Sequence, residues 1–362
     1  MTKLYLVRHA EAEGNIYRRA HGHHEGRVTG KGYVQIGLLR ERFLNEKIDA
    51  VYSSDLHRAC ETAAALAAPR GLPIIKTKML REVDLGVWED NAWGDIEYAD
   101  PQMSRAFSFD PGKWSVEGSE PFEGAAERAI KFVKETAALH DRQTIAFFSH
   151  GFTIRAFFTI LTGRESSEVS KVGYFDNTAV ALLTFENGEL AIEYQGDNSH
   201  LTSESSTFAH QTWWRTEKRW LSENLRYMPL DPERDEEVVR QRILELGEIT
   251  DPGKEYTAFL RDEPIGIVGI DLLGGEPDTG RISSIFIKPE KRNKNYGVQL
   301  LGLAVSEFRK QRREFLRAEA PDGSPAAAFF RKYGFETVSG SVSGSVSGAE
   351  GLCSMQKYIR IW

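Results

Sequence analysis

Two rhythms of apolar residues alternate along the first 200 positions. Short runs rich in Val, Ile, Tyr and Phe at 4–7, 50–53 and 144–149 predict strands. Longer stretches at 32–43, 56–68, 123–139 and 152–161 carry apolar residues at helical spacing and predict helices. Strand followed by helix, repeated, predicts a doubly wound α/β domain, a parallel sheet with helices on both faces. Residues 179–185 and 190–194, separated by Glu186-Asn187-Gly188-Glu189, read as a closing hairpin. A Ser/Thr-rich stretch at 202–207 then reads as a linker.

Beyond it the pattern restarts. A helix is predicted over 233–246, strands over 256–260 and 265–272 around Asp262-Glu263-Pro264, and another strand over 281–287. A helix over 298–309, a strand over 315–320 and a helix over 325–333 follow, the last with Ser324 as cap and Pro325 in its first turn. Residues 339–348 read SGSVSGSVSG, too poor in apolar surface to pack, and predict a mobile loop or hairpin tip before a final strand over 352–361. The chain thus divides into domains over 1–201 and 213–362, with 202–212 as the linker. The second is expected to be a mixed α/β domain. Trp213, Trp214 and Trp220 at its start read as packing between the domains, with an aromatic cage as the alternative.

Composition narrows the function classes. The 362 residues are 41% hydrophobic and 27% charged, an ordinary globular balance for two domains. A net charge of -7 supplies no whole-chain field for nucleic acid. The cations Lys291, Arg292, Lys294 and those within 309–313 have no interleaved stacking aromatics and read as a phosphate-binding loop plus a solvated helix face. Only Cys60 and Cys353 are present, too few for a disulfide framework. No run approaches the ~18 apolar residues a membrane span needs, and no charged leader precedes Leu4, so neither a membrane nor a secretory role is expected and the location is read as cytoplasmic.

Reactive side chains gather at three predicted strand ends. Arg8-His9 follows the first strand, Asp55-Leu56-His57-Arg58 the second, and His150-Gly151 the third. Ligands of doubly wound sheets bind at that edge, so these groups are expected to converge on one pocket. Such a pocket suits a phosphate: arginine forks match its oxygens, and helix N-termini add backbone N–H groups. His9 as neutral imidazole can attack phosphorus, while Arg8, Arg58 and His150 neutralise the equatorial oxygens. Glu82, in Leu80-Arg81-Glu82-Val83-Asp84, is the first choice for the acid that protonates the departing alkoxide, and Asp84 the second.

Leu6-Val7-Arg8-His9-Ala10-Glu11 with Asn15, Thr29-Gly30-Lys31-Gly32 with Gln35, Ser53-Ser54-Asp55-Leu56-His57-Arg58-Ala59 with Glu61-Thr62, and Ser149-His150-Gly151 resemble the histidine phosphatase superfamily, also called phosphoglycerate mutase-like. The resemblance spans roughly 1–201 and implies a three-layer α/β/α fold. It implies His9 as the phosphorylated nucleophile, Arg8, Arg58 and His150 as the phosphate pocket, and Glu82 as the acid. It further implies Asn15 as a support and His21 and Gly22 as substrate contacts. Ala10 stands where the family usually has glycine. Mutases share this pocket, but the segment 80–89 is more similar to the broad-specificity and alpha-ribazole phosphatase branch, which implies hydrolysis of a small phosphomonoester. His21, His23 and His24 form a cluster, yet without an accompanying carboxylate pair or thiolates no metal is expected, nor does the family need one.

In the second half, Ser283-Ser284-Ile285-Phe286-Ile287-Lys288-Pro289-Glu290 runs into Lys291-Arg292-Asn293-Lys294-Asn295-Tyr296-Gly297-Val298: strand, loop, helix start. With Phe329-Phe330-Arg331-Lys332-Tyr333-Gly334-Phe335-Glu336 this resembles the GNAT acetyltransferase superfamily over about 213–362. The resemblance implies a GNAT-like fold binding acetyl-CoA or CoA, with an amine as acceptor. The cradle would comprise Phe286 and Ile287 beside the pantetheine arm, and Arg292, Asn293, Lys294, Asn295, Gly297 and Val298 at the pyrophosphate. Asn295 replaces the first signature glycine, and Asn best tolerates positive φ after glycine. Phe330 stands where many members carry a tyrosine acid, and Gly323 where many carry asparagine, so the domain is read either as an acetyltransferase or as a CoA- or substrate-binding module.

Overall fold

A computed structural model describes residues 1–211, 223–249, 251–272, 276–343 and 352–361, without the side chains of 339–343. It separates into two compact units. The first half contains strands β1 (Thr2–Arg8), β2 (Ala50–Ser54), β3 (Ile74–Thr77), β4 (Thr144–Ser149), β5 (Val180–Glu186) and β6 (Glu189–Asp197). Its helices are α1 (Glu13–Tyr17), α2 (Gly30–Arg42), α3 (His57–Ala67), α4 (Trp93–Ala99), α5 (Pro101–Phe109), α6 (Phe122–Leu139) and α7 (Gly151–Leu161). The sheet order is β3-β2-β4-β1-β5-β6. β1 to β4 pair in parallel, whereas β5 and β6 add antiparallel at one edge. The Asn187-Gly188 turn, with φ of 52° and 86°, has the left-handed pair that a two-residue hairpin loop demands.

Alternation along β1 shows why the sheet is covered twice. Leu4 and Leu6 pack with Ala129 and Val133 of α6 and Phe157 and Phe158 of α7. Tyr5 and Val7 pack with Leu39 of α2 and with Ala63 and Leu66 of α3 on the other face. A strand buried on both sides reads as a continuous apolar run, the signal that made it legible. The layers are therefore α/β/α, as the sequence pattern predicts.

The stretch expected to be a linker is instead tied down within this unit. Gln35 Nε2 donates to Ser205 O at 2.8 Å, Ser206 Oγ donates to Asp176 Oδ2 at 2.6 Å, and Thr207 Oγ1 donates to Glu11 Oε2 at 2.9 Å. Its hydroxyls serve as buried hydrogen-bonding groups, a use that composition alone does not separate from solvation. The three tryptophans Trp213, Trp214 and Trp220 lie outside the described residues.

The second unit comprises Leu221–Trp362 together with the short pieces Asn15–Arg19 and Ala92–Asp95. Its strands are β7 (Leu225–Pro229), β8 (Lys254–Leu260), β9 (Glu263–Asp271), β10 (Thr279–Ile287), β11 (Phe315–Pro321), β12 (Glu336–Ser343) and β13 (Leu352–Tyr358). The helices are α8 (Glu236–Leu246), α9 (Tyr296–Lys310) and α10 (Pro325–Lys332), and the sheet order is β12-β13-β11-β10-β9-β8-β7. Ser324 caps α10 by accepting from Ala327 N at 3.1 Å, as its sequence position predicts. The first half of the SGSVSGSVSG tract is not a loop: β12 runs to Ser343 and pairs Val342 with Cys353. Backbone pairing with β13 supplies what the tract's side chains lack, and 344–348 lie outside the described residues. β10 and β11, both parallel, pair only over Thr279–Arg281 with Phe315–Arg317 and then part. Among the described residues no helix is long and apolar enough to cross a membrane.

Candidate active site

β1 ends on Arg8, β2 on Ser54 and β4 on Ser149, so one edge of the sheet carries Arg8 and His9, then Arg58 in the first turn of α3, then His150 capping α7. The five residues expected to do chemistry are all nearly buried: Arg8 9% exposed, His9 5%, Arg58 1%, Glu82 9% and His150 0%. The imidazoles of His9 and His150 stand 5.1 Å apart, centroid to centroid.

Hydrogen bonds set the state of each group. His9 Nδ1 lies 2.7 Å from Ala10 O, so Nδ1 carries the proton and Nε2 keeps its lone pair. The His9 backbone is held by Ser149 O at 2.9 Å and by Asn177 Nδ2, which donates to its carbonyl at 2.9 Å. Burial, with Arg58 and Arg8 beside it, holds the His9 imidazole well below its ordinary value, and the same causes act on His150. Both rings are therefore neutral near pH 7. His150 Nε2 pairs with Ser54 Oγ at 2.8 Å, while its Nδ1 is buried with no partner.

Arg8 donates through Nη1 to Phe175 O, yet its Nε is also buried and unpartnered. The guanidinium lies against Gly151, where a Cβ would come within 3.0 Å of Nε, so glycine opens the first turn of α7 to the arginine. Arg58 donates to three carbonyls of one loop: His24 at 3.0 Å, Gly22 at 2.7 Å and His21 at 3.3 Å. Thr62 locks this arrangement, accepting from Ala10 N at 2.9 Å and donating to Arg58 O at 2.7 Å. Ser54 and Thr62 lie within the sequence motifs but carry no role that the motifs assign. Phe175, Asp176 and Asn177 give no signal in the sequence beyond a polar pair at the start of the turn into β5.

Glu82 sits at the N-terminus of α7 and accepts from Phe152 N at 3.0 Å, Thr153 N at 2.8 Å, Thr153 Oγ1 at 3.0 Å and Val83 N at 3.1 Å. Asp84 faces His23 Nδ1 at 3.2 Å. Gly22 has no room for a side chain: a Cβ there would meet Val83 O at 2.4 Å. Burial pushes the His21 imidazole down to about 4. Asn15 is half-buried in α1, within the piece grouped with the second unit.

With this geometry in place, comparison with known proteins assigns the first half. The family model of the histidine phosphatase superfamily (branch 1) matches residues 4–198. The chain belongs to that superfamily. Phosphoserine phosphatase 1 of Hydrogenobacter thermophilus is 31% identical over 186 residues, 51% of this chain and 88% of that protein. The metal-independent phosphoserine phosphatase of Arabidopsis thaliana is 28% identical over 206 residues, 56% of this chain and 84% of that protein. Among solved structures, Bacillus stearothermophilus YhfR superposes with a TM-score of 0.54 at 28% identity, covering 55% of this chain and 99% of its own. A family model for GNAT acetyltransferases matches residues 211–335, so this histidine phosphatase carries a GNAT domain in the same chain.

In the GNAT domain, Phe286 and Ile287 are buried at the end of β10, opposite Ile267 and Gly266 of β9. Asn293 and Asn295 both adopt left-handed backbone, φ 59° and 60°, and Asn295 opens α9. Gly297 lets α9 approach Phe329, whose Cε2 would lie 3.1 Å from a Cβ. Val298 is buried, while Arg292, Asn293, Lys294 and Asn295 are exposed. Arg292 donates from Nε to Ile287 O at 2.9 Å and pairs through Nη2 with Glu245 of α8. Lys294 Nζ donates to Glu290 O at 3.1 Å. An open cleft of about 430 Å³ beside this loop is lined by Gln241, Leu244, Glu245, Phe286, Pro289 and Glu290. Phe330 is buried against Phe335, with centroids 5.0 Å apart.

Proposed function

We propose that this histidine phosphatase hydrolyses a small phosphomonoester through a phosphohistidine on His9, and that its GNAT domain binds acetyl-CoA or CoA. The observation that carries the first reading is a pair of buried polar atoms without partners among the described residues, Arg8 Nε and His150 Nδ1, flanking a neutral His9. Buried polar groups are normally satisfied, and a phosphoryl group supplies the acceptor oxygens these two lack. In the reaction His9 Nε2 attacks phosphorus and the bond to the leaving alkoxide breaks, Glu82 giving that oxygen a proton. Water then attacks the phosphohistidine, returns a proton to Glu82 and releases inorganic phosphate. Arg8, Arg58 and His150 stabilise the charge on the equatorial oxygens.

Both relatives described above bear the name phosphoserine phosphatase, which makes phosphoserine the first substrate to try alongside p-nitrophenyl phosphate and a phosphomonoester panel. Turnover lost in His9→Ala supports the reading. Equal rates for wild type and His9→Ala across that panel would remove it.

For the GNAT domain, support comes from the parting of β10 and β11 and from the left-handed backbone of Asn293 and Asn295 at the start of α9, the kind of loop conformation from which backbone N–H groups can build an anion site. Phe330 has no hydroxyl and lies in the core, so transfer to an amine is expected to be slow even where cofactor binds. Calorimetry of the full chain with acetyl-CoA tests this. Binding weakened by Arg292→Glu supports the cradle; absence of binding at millimolar acetyl-CoA contradicts it.

A further inference from the structure

From the sequence no metal is expected at the histidine cluster, which lacks a supporting carboxylate pair or thiolates. The fold brings one carboxylate to it. Asp90 Oδ1 lies 3.6 Å from His21 Nε2 and 3.8 Å from His24 Nε2, and donor atoms of the three residues all fall within 4.8 Å of one another. His23, expected in the same cluster, instead turns its ring between Asp84 and the Glu82 carbonyl.

We propose that His21, His24 and Asp90 form a binding site for a divalent transition cation of the zinc class. The distances suit coordination of one shared ion as well as charge pairing with Asp90. Both His–Asp separations exceed the hydrogen-bond range. They approach the ~3.3 Å edge of a tetrahedron built on metal–ligand bonds of roughly 2.0–2.1 Å. Two imidazoles and one carboxylate are donors that such cations prefer, and three protein ligands leave a position for water.

The scaffold fixes these donors before any ion arrives. The Glu89 carboxylate accepts from the backbone N–H of Gly22 at 3.2 Å, His23 at 2.7 Å, His24 at 2.8 Å and Leu85 at 3.1 Å. Asp90 N donates to Ala20 O at 2.8 Å, and Asp90 adopts left-handed backbone at φ 57°, which Asp and Asn tolerate. The His21 ring is clamped between two glycines: a Cβ at Gly14 would sit 2.5 Å, and one at Gly26 2.9 Å, from its Nδ1. The side chains of His21 and Asp90 are 7% and 13% exposed, that of His24 27%, which leaves an approach along His24. Glu89, with Glu25 and Glu82, also offsets the charge of Arg58, whose guanidinium bonds the carbonyls of His21, Gly22 and His24.

No proton or phosphoryl group passes through this cation. It would hold the loop whose carbonyls orient Arg58, so its role is positional, and the proposal stands independently of the phosphatase reading. Calorimetry of the full, chelator-stripped chain with zinc chloride tests it, together with the visible spectrum of the cobalt(II)-loaded chain. One equivalent of zinc, a tetrahedral cobalt band, and at least about tenfold weaker binding in both Asp90→Asn and His24→Gln are expected. Asn tolerates left-handed backbone, so Asp90→Asn should keep its fold, checked by circular dichroism. Absence of binding at micromolar zinc, or binding equal in wild type and both variants, overturns the proposal.

Discussion

In the proposed reaction His9 is set up as a nucleophile by what surrounds it rather than by a base beside it. Its Nδ1 proton is spent on the Ala10 carbonyl, and burial with two arginines keeps the ring neutral. Because the folded-state value is depressed, the free-enzyme rate should show no break near pH ~6.5, the ordinary histidine value. Its acid limb should lie well below, and a pH profile of kcat/KM checks this. Glu82 poses a sharper question, since its two oxygens accept four hydrogen bonds, most of them from the first turn of α7. Glu82→Gln should cost turnover about 10²–10⁴-fold for alkyl phosphates and much less for p-nitrophenyl phosphate. It should also lower the melting temperature, because an amide NH₂ would oppose backbone donors. Equal loss for both leaving groups would assign Glu82 to capping alone and leave Asp84 as the acid. At this scale the gathering of Arg8, His9, Arg58 and His150 was legible in the sequence, because motif spacing fixes strand ends. It did not show Thr62 or Asn177 as their supports, because Ala10 and His9, the backbone that those side chains hold, lie far off in sequence.

Among the elements, α7 links the pocket to the fold. Gly151 in its first turn leaves space for Arg8, and a Cβ would press the guanidinium at 3.0 Å. Gly151→Ala should therefore raise KM several-fold while melting changes little, since Ala is the better helix former. Steady-state kinetics and a thermal melt on the same preparation test that split. In the GNAT domain Arg292 is engaged by Glu245, so a pyrophosphate bound as proposed would compete with that carboxylate. Glu245→Gln is expected to tighten CoA binding several-fold by calorimetry, and weaker binding would show that Glu245 is not a competitor. The helices here were legible to within a few residues from their periodicity. β12 was not, because the Ser–Gly tract carries no strand pattern and owes its backbone pairing to β13. The Ser/Thr stretch at 202–207 misled in the opposite direction, its hydroxyls being bound to Glu11, Gln35 and Asp176 rather than to water.

For the whole molecule, the buried histidines couple pH to stability. His9 and His150 have folded-state values well below those of the unfolded chain, which therefore binds more protons as pH falls. The stability they contribute is complete above pH ~6.5 and is lost below it, each approaching about 1.4 kcal/mol per pH unit. Denaturant melts between pH 7.5 and 5 should show that slope, reduced in His150→Gln. Two domains in one chain were readable from the restart of the apolar pattern, whereas the inclusion of Asn15–Arg19 with the second unit was not, because grouping of distant short pieces leaves no local signal. The account's central claim is covalent chemistry at His9, and a rapid acid-free quench of the full chain with phosphoserine or p-nitrophenyl phosphate, followed by peptide mass spectrometry, tests it most directly. An acid-labile phosphate on the peptide containing His9, absent from His9→Ala, is the predicted result. Turnover with no phosphate on that peptide, or with phosphate on another residue, would contradict it.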